Sequence, residues 1–544
     1  MSLTVRYRVS KIGYEIKLHN MNGKPNLSNG MKKERMRMKY VLGVDLGTSG
    51  TKTVLFNEEG TAVASSLMEY PLYQPENGWA EQEPEDWWQA ARDTIKAVMQ
   101  KSGVSPADVV CLGIGGQMHS LVMTDEEGKA LGRSILWCDG RTGKQCSELT
   151  QRVGAERLIA ISANPALTGF TAGKVLWVQE NDPDRWERVR HIMLPKDYVR
   201  YRLTGEYLCE YSDASGTNIL DVTRRQWSPE IAEALNLPME LLPPLRESSA
   251  VCGHITAEAA AQTGLMEGMP VAGGAADNMA GAIGTGVASA GKAFTTIGTS
   301  GVVYAHSDSV QIDPQGRVHT FCSAVPGAYT VMSCTLAAGL SLKWFRDTFC
   351  RAEIEAAGEM GTDPYVLMNE EAEKSPIGAN RLLFLPYLMG ERSPLLDSNA
   401  RGAFIGLSAM HKRRDLLRAV MEGVIYSQRQ NLDILKGMNV VPKAMLACGG
   451  GARSPFWRQM MADVFGMPVM TVQSTEGPAL GAAILAGTAA GLFESVPEAC
   501  RALIRTGEPL SPDSARGKQY APYYRLYTQL YPSLKENFAE LSGL

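Results

Sequence analysis

The chain has 544 residues, too many for one ordinary domain, and its 44% apolar and 21% charged residues are those of a globular protein rather than a disordered or fibrous one. No run approaches the 18 uninterrupted apolar residues of a membrane-spanning helix. The ten Cys include no CxxC pair and the seven His no HxxxH pair, so neither a disulfide framework nor a zinc site is indicated. Charge is uneven. Ten of the 54 Lys and Arg but two of the 58 Asp and Glu fall in residues 1–40, leaving 44 basic against 56 acidic groups in the rest. A mildly acidic body of this kind offers no nucleic-acid surface.

Residues 1–38 read as a leader, disordered or non-native, with the native start near Met36 or Met38. Met31–Lys39 is basic and no apolar core follows it, which argues against a secretory signal and for the cytoplasm. Globular patterning begins at Lys39. Tyr40–Val44 predicts a strand, 45–50 (DLGTSG) a turn, and Thr51–Phe56 a second strand. The backbone N–H groups of such a tip, with the hydroxyls of Thr48 and Ser49, suit a phosphate chain, and Asp45 suits a magnesium ion. Taken alone, an ordinary hairpin turn explains the segment.

Val109–Ile114 predicts a buried strand, with a loop carrying Met118 and His119 after it. His119 can exchange hydrogen bonds with sugar hydroxyls and Met118 can supply an apolar wall, although a core Met beside a satisfied loop His has the same pattern. Trp137 reads either as a wall for a sugar's carbon face or as core. In 273–281 (GGAADNMAG), Asp277 lies among small residues that let a substrate approach. It reads as a general base or as the N-cap of a helix beginning near Asn278, and the two roles can coexist.

The first device then returns. Lys292–Ile297, Gly298-Thr-Ser-Gly301 and Val302–Tyr304 repeat strand, tip and strand, which predicts a duplicated architecture with one phosphate-binding tip from each half. Residues 286–293 (GVASAGKA) nearly fit a P-loop, but Ala293 lacks the metal-binding hydroxyl and Lys292 enters a strand, so that reading is rejected. Strand Ala444–Cys448, glycines 449–451 and a helix capped by Ser454, begun by Pro455 and stopped by Gly466 complete the pattern of a nucleotide site.

Several segments together resemble the FGGY family of carbohydrate kinases over nearly all of residues 39–540. They are 169–181 (GFTAGKVLWVQEN), 402–407 (GAFIGL) with Asp415 and 419–422 (AVME), 390–394 (GERSP), and 476–481 (EGPALG). The resemblance implies an α/β fold of two actin-like (ribonuclease-H-like) domains with a catalytic cleft between them: a sugar-binding domain at 39–285 and a nucleotide-binding domain at 286–544. It implies ATP and Mg²⁺ as cofactors, Asp277 as catalytic base, and Asp45 with Asp277 at the metal. Met118, His119, Trp137, Asp277 and Asn278 would meet the sugar. Thr48, Ser49, Gly298, Thr299, Gly339, Gly450 and Gly451 would meet the nucleotide.

The pair Met118–His119 matches members that phosphorylate D-xylulose at its 5-hydroxyl, and disfavours glycerol, for which the family uses Arg-Glu there. Ala275, Ala276 and Ser120 depart from that pattern, and Met-His-Ser is shared with gluconate-kinase-like members. Gluconate and L-ribulose therefore stay open as acceptors. An actin-like ATPase without a sugar acceptor stays open as a different class. The expected partners are a sugar and ATP, with a homodimer allowed and neither nucleic acid nor membrane.

Overall fold

The computed structural model describes residues 38–544, so the leader reading lies outside the described residues apart from Met38. Strand β1, Tyr40–Leu46, is apolar on both faces and buried almost throughout, as a central strand covered on both faces must be. It turns through the glycine-rich tip into the antiparallel β2, Gly50–Asn57, which pairs in turn with β3, Ala62–Glu69. Helix α1, Pro84–Ser102, buries Trp87, Trp88, Ile95 and Val98 in one apolar cluster with Leu42, Val44 and Leu55 of the sheet. Strand β4, Val109–Gly116, lies parallel to β1 on its other side. Helix α2, Thr171–Asn181, follows in the chain. Then come β5, Val251–His254, β6, Pro270–Ala272, and the short β7, Ala275–Ala276. The first sheet has the order β5-β6-β4-β1-β2-β3, with β7 also pairing β4.

Helix α3, Asp277–Thr285, leaves β7 directly. The second sheet then repeats the plan. β8, Lys292–Ile297, turns into the antiparallel β9, Gly301–Ser307. β10, His319–Cys322, and β11, Tyr329–Thr335, follow, with β11 antiparallel to β9. Three helices precede or accompany the last strands: α4, Gly339–Phe349, α5, Pro364–Glu373, and α6, Pro455–Phe465. β12, Ala444–Cys448, runs parallel to β8, and β13, Val469–Thr471, parallel to β12. The order is β10-β11-β9-β8-β12-β13. A run of two antiparallel pairings on one side (β1-β2-β3, β8-β9-β11) and two parallel pairings on the other (β1-β4-β6, β8-β12-β13) gives both sheets the same five-strand plan, extended by one edge strand each, β5 in the first and β10 in the second. The duplicated hairpins therefore belong to a duplicated fold.

Helix α7, Gly477–Ala489, comes after the second sheet in the chain yet packs on the first. A Cβ on Gly43 of β1 would lie 1.9 Å from the carbonyl oxygen of Ala479, and one on Gly113 of β4 2.2 Å from that of Ala482. Helix α7 also crosses α3 backbone to backbone: a Cβ on Gly481 would stand 1.8 Å from the Ala280 carbonyl oxygen, and one on Gly284 1.8 Å from that of Gly477. Together α3 and α7 share one apolar cluster with Val41 and Val54 of the first sheet and Phe294 and Leu446 of the second. Among the described residues no helix is long and apolar enough to cross a membrane.

Candidate active site

The two carboxylates are set by strand register. Asp45 of β1 pairs with Gly115 of β4 from one side, and Ala275 of β7 pairs with the same Gly115 from the other. Asp277 follows two residues later, at the first turn of α3. The helix includes Asp277, so the expected N-cap position falls instead on Ala276. The carboxylate still satisfies the helix start locally: Asp277 Oδ1 accepts from the Asn278 backbone N–H at 2.6 Å and from Asn278 Nδ2 at 3.0 Å.

Burial raises the Asp277 carboxyl to about 7; the Asn278 N–H opposes the shift and the charge of Asp45 adds to it. Burial likewise raises Asp45 to about 6, with Lys52 opposing and Glu476 adding. Lys52, in register with Asp45 on β2, bonds Glu476 Oε2 at 2.5 Å, and Glu476 is the residue before α7. A carboxyl with a pKa of about 7 is poised to accept a proton at neutral pH, as a hydroxyl-activating base must.

Met118 meets the residue after Asp277, and His119 follows it in the chain. The buried Met118 accepts from Asn278 Nδ2 at 3.5 Å through its sulfur, so Asn278 bridges the two expected sugar groups. His119 has a positive φ of 65°, and its ring packs edge-on against Phe170 at 4.6 Å. The same aromatic cluster takes in His319 and Phe321 from β10. Burial holds the His119 imidazole well below its ordinary pKa, with the charge of Lys174 adding, so the ring is neutral at pH 7.

Trp137 is 42% exposed and is therefore not core. Its indole N–H donates to Thr48 Oγ1 at 2.9 Å, tying a residue expected at the sugar to one expected at the nucleotide. The Thr48 carbonyl accepts from Gln82 Nε2 at 2.7 Å. Gln117, next to Met118, donates to Gln82 Oε1 at 3.0 Å. The first tip and the loop carrying Met118 and His119 are thus one hydrogen-bonded unit. Ser49 is exposed at the end of the tip.

The nucleotide residues of the second half come together. Gly298, Thr299, Gly339, Gly450 and Gly451 line one cavity of about 980 Å³. Thr48 and Ser49 belong to the other sheet and are not among its lining residues. Gly339 N donates to the Gly298 carbonyl at 2.7 Å, and a Cβ on Gly339 would lie 2.3 Å from that oxygen, so this glycine serves loop packing as well as the cavity. Sequence reasoning did not find the far wall. It is built by Tyr365, Val366 and Asn369 of α5 with Phe456 of α6, Lys343 and Arg516, none of which carries a local signature.

The segment 212–216 also reaches the residues around Asp277 and His119. Ser212 Oγ accepts the Ala276 N–H at 3.1 Å, just before Asp277, and a Cβ on Gly216 would lie 2.2 Å from His119 Nδ1.

Residues 40–284 match the N-terminal domain, and residues 293–490 the C-terminal domain, of the FGGY family of carbohydrate kinases. The chain belongs to this family. It is a carbohydrate kinase with the family's paired-domain fold and cleft, and the reading as an ATPase without a sugar acceptor falls away. Xylulose kinase of Bacillus subtilis (strain 168) is 39% identical over 499 residues, 92% of this chain and 98% of that protein. Xylulose kinase of Lactococcus lactis is 40% identical over 501 residues, 92% of this chain and 98% of that protein. The crystal structure of xylulose kinase from Rhodospirillum rubrum superposes with a TM-score of 0.86 at 31% identity, covering 92% of this chain and all of that one.

Proposed function

We propose that this kinase transfers the γ-phosphoryl group of ATP to the 5-hydroxyl of D-xylulose, giving D-xylulose 5-phosphate and ADP. The observation that carries the reading is the cluster of Asp277, Asn278 and Met118, with His119 next in the chain: a carboxylate whose pKa burial lifts to about 7 is joined through Asn278 to a thioether, and the residue after that thioether carries a neutral imidazole. Similarity to xylulose kinases along more than nine-tenths of the chain supports the choice of acceptor.

In this reading the sugar lies against Met118 with its hydroxyls toward His119, Asn278 and Trp137. Asp277 accepts the proton of the attacking hydroxyl, and the tip at Thr48 and Ser49 with that at Gly298 and Thr299 donates to the phosphate oxygens. Adenosine occupies the cavity beside Gly339, Gly450 and Gly451. Two buried carboxylates, one raising the pKa of the other, offer hard oxygen donors, which suits Mg²⁺, an ion that keeps most of its waters. Asp45, with Asp277, would hold it, and it would supply charge neutralisation at the phosphates. Keeping water out as the sugar binds is left to the cleft walls, so ATP hydrolysis without sugar is expected to be slow.

A coupled ADP-release assay over D-xylulose, L-ribulose, D-gluconate and glycerol tests the reading. Turnover concentrated on D-xylulose is expected. Efficient turnover on gluconate or L-ribulose with none on D-xylulose would overturn it.

A further inference from the structure

Lys174 is fully buried in the second turn of α2, and it spends its ammonium on main-chain carbonyls. Nζ donates to the His119 carbonyl at 2.8 Å and to the Gly169 carbonyl at 2.7 Å. The acid whose charge reaches it most, Asp139, is already taken by Arg141, Nη2 to Oδ2 at 2.7 Å. Burial without an ion partner pulls the Lys174 pKa down to about 7, and so costly a group persists where its hydrogen bonds fix something the fold does not fix otherwise.

The group it fixes is His119. This residue has the left-handed φ of 65° that a non-glycine side chain rarely adopts, so its conformation needs support from outside. Support comes from α2 and the residue before it. Thr171 Oγ1 donates to the same His119 carbonyl at 3.0 Å, and the Phe170 ring meets the imidazole edge-on at 4.6 Å. Gly216 leaves the ring its space on another side. The carbonyl is clamped, and the side chain beyond it is aimed.

We propose that Lys174 is a positioning residue for sugar recognition, holding the left-handed His119 in the orientation that meets the acceptor's hydroxyls. The proposal rests on the reading of His119 as a sugar ligand, and it extends that reading to a residue remote from the sugar itself.

The test is a double-mutant cycle on steady-state kinetics with D-xylulose and ATP varied separately. Lys174→Met is expected to raise the KM for D-xylulose about ten- to a hundredfold, the range for hydrogen bonds from a charged donor, while moving kcat and the KM for ATP by less than about threefold. In a His119→Ala background, Lys174→Met is expected to add nothing further to the sugar KM. Equal losses in both backgrounds, or a loss shared by kcat and the KM for ATP, would overturn the proposal in favour of a folding role. Thr171→Val removes the companion donor on the same carbonyl. Run through the same cycle, it carries the test should Lys174→Met fail to fold, with a smaller sugar-specific effect expected and a silent result counting against the clamp. If His119→Ala itself leaves the sugar KM unchanged, the sugar-site reading fails and the proposal with it. If His119→Ala is sensitive and both α2 variants are silent, the proposal alone fails.

Discussion

Asp45 and Asp277 are placed by two strands that flank the same residue, Gly115, and the charge of Asp45 adds to the burial that raises the Asp277 carboxyl. The Asp277 carboxyl therefore responds to the charge at Asp45, and pH becomes a direct probe of the arrangement.

The acid limb of kcat/KM is the first prediction. As the proposed base, Asp277 must be ionised to take a proton, and burial has lifted it to about 7, so activity should climb with a midpoint near pH 7 and level off above about pH 8. Asp45→Asn removes a neighbouring negative charge and should shift that limb to lower pH. Asp277→Asn should abolish the limb and cost roughly 10²–10⁴ in kcat. Stability runs the other way. A carboxyl whose folded pKa is raised contributes stability that is complete below the ordinary carboxylate value of 3.8 and is lost as pH rises through about 7. Asp277→Asn should therefore melt above the wild type at pH 8, and the difference should vanish near pH 4. A variant that melts lower at both pH values would contradict this account.

Two glycines of the nucleotide cavity should behave oppositely. A Cβ on Gly450 meets no protein atom nearer than 4.0 Å, so Gly450→Ala should fold normally and raise the KM for ATP by intruding on the ligand. A Cβ on Gly339 would strike the Gly298 carbonyl, so Gly339→Ala should lower the melting temperature as well as the affinity. Melts paired with ATP titrations separate the two.

Trp137→Phe keeps an aromatic wall but deletes the donor to Thr48. The side chain is exposed, so the melting temperature should stay within a degree or two. The lost bond should lower kcat/KM for sugar and for ATP together by about two- to tenfold, the worth of one hydrogen bond. A change confined to one substrate would show that the link between the two loops carries no energy.

Crowding the crossing of α3 and α7 gives the fourth prediction. Gly481→Ala places a methyl 1.8 Å from a backbone oxygen and should cost about 1–3 kcal/mol or more in unfolding free energy. Gly477→Ala, whose added methyl meets nothing within 4 Å, serves as the control and should leave denaturant midpoints unchanged.

Much of this architecture was legible in the amino-acid order because its signals are local. Each tip announces itself by Gly-Thr-Ser-Gly between apolar runs, and Ser454, Pro455 and Gly466 fall at the N-cap, first position and C-cap predicted for their helix. Asp277 stood out among small residues, although the helix claims it one position earlier than expected. What stayed hidden depends on distant parts meeting. Gly43 and Gly113 read as ordinary strand residues, because the helix that needs their bareness lies more than 360 residues further on. The wall formed by α5 looks like any amphipathic segment. Lys174 passed as one letter of a family pattern, since nothing nearby in the chain says that its ammonium reaches back to residue 119.

Because α7 is contributed from beyond the second sheet yet roofs β1 and β4, the two lobes cannot be cut apart at the linker between them. A fragment ending near residue 290 would carry an uncovered strip of bare glycines and valines down its centre, and would be expected to aggregate. Supplying residues 286–544 as a separate polypeptide should restore it, which makes the kinase a natural candidate for fragment complementation.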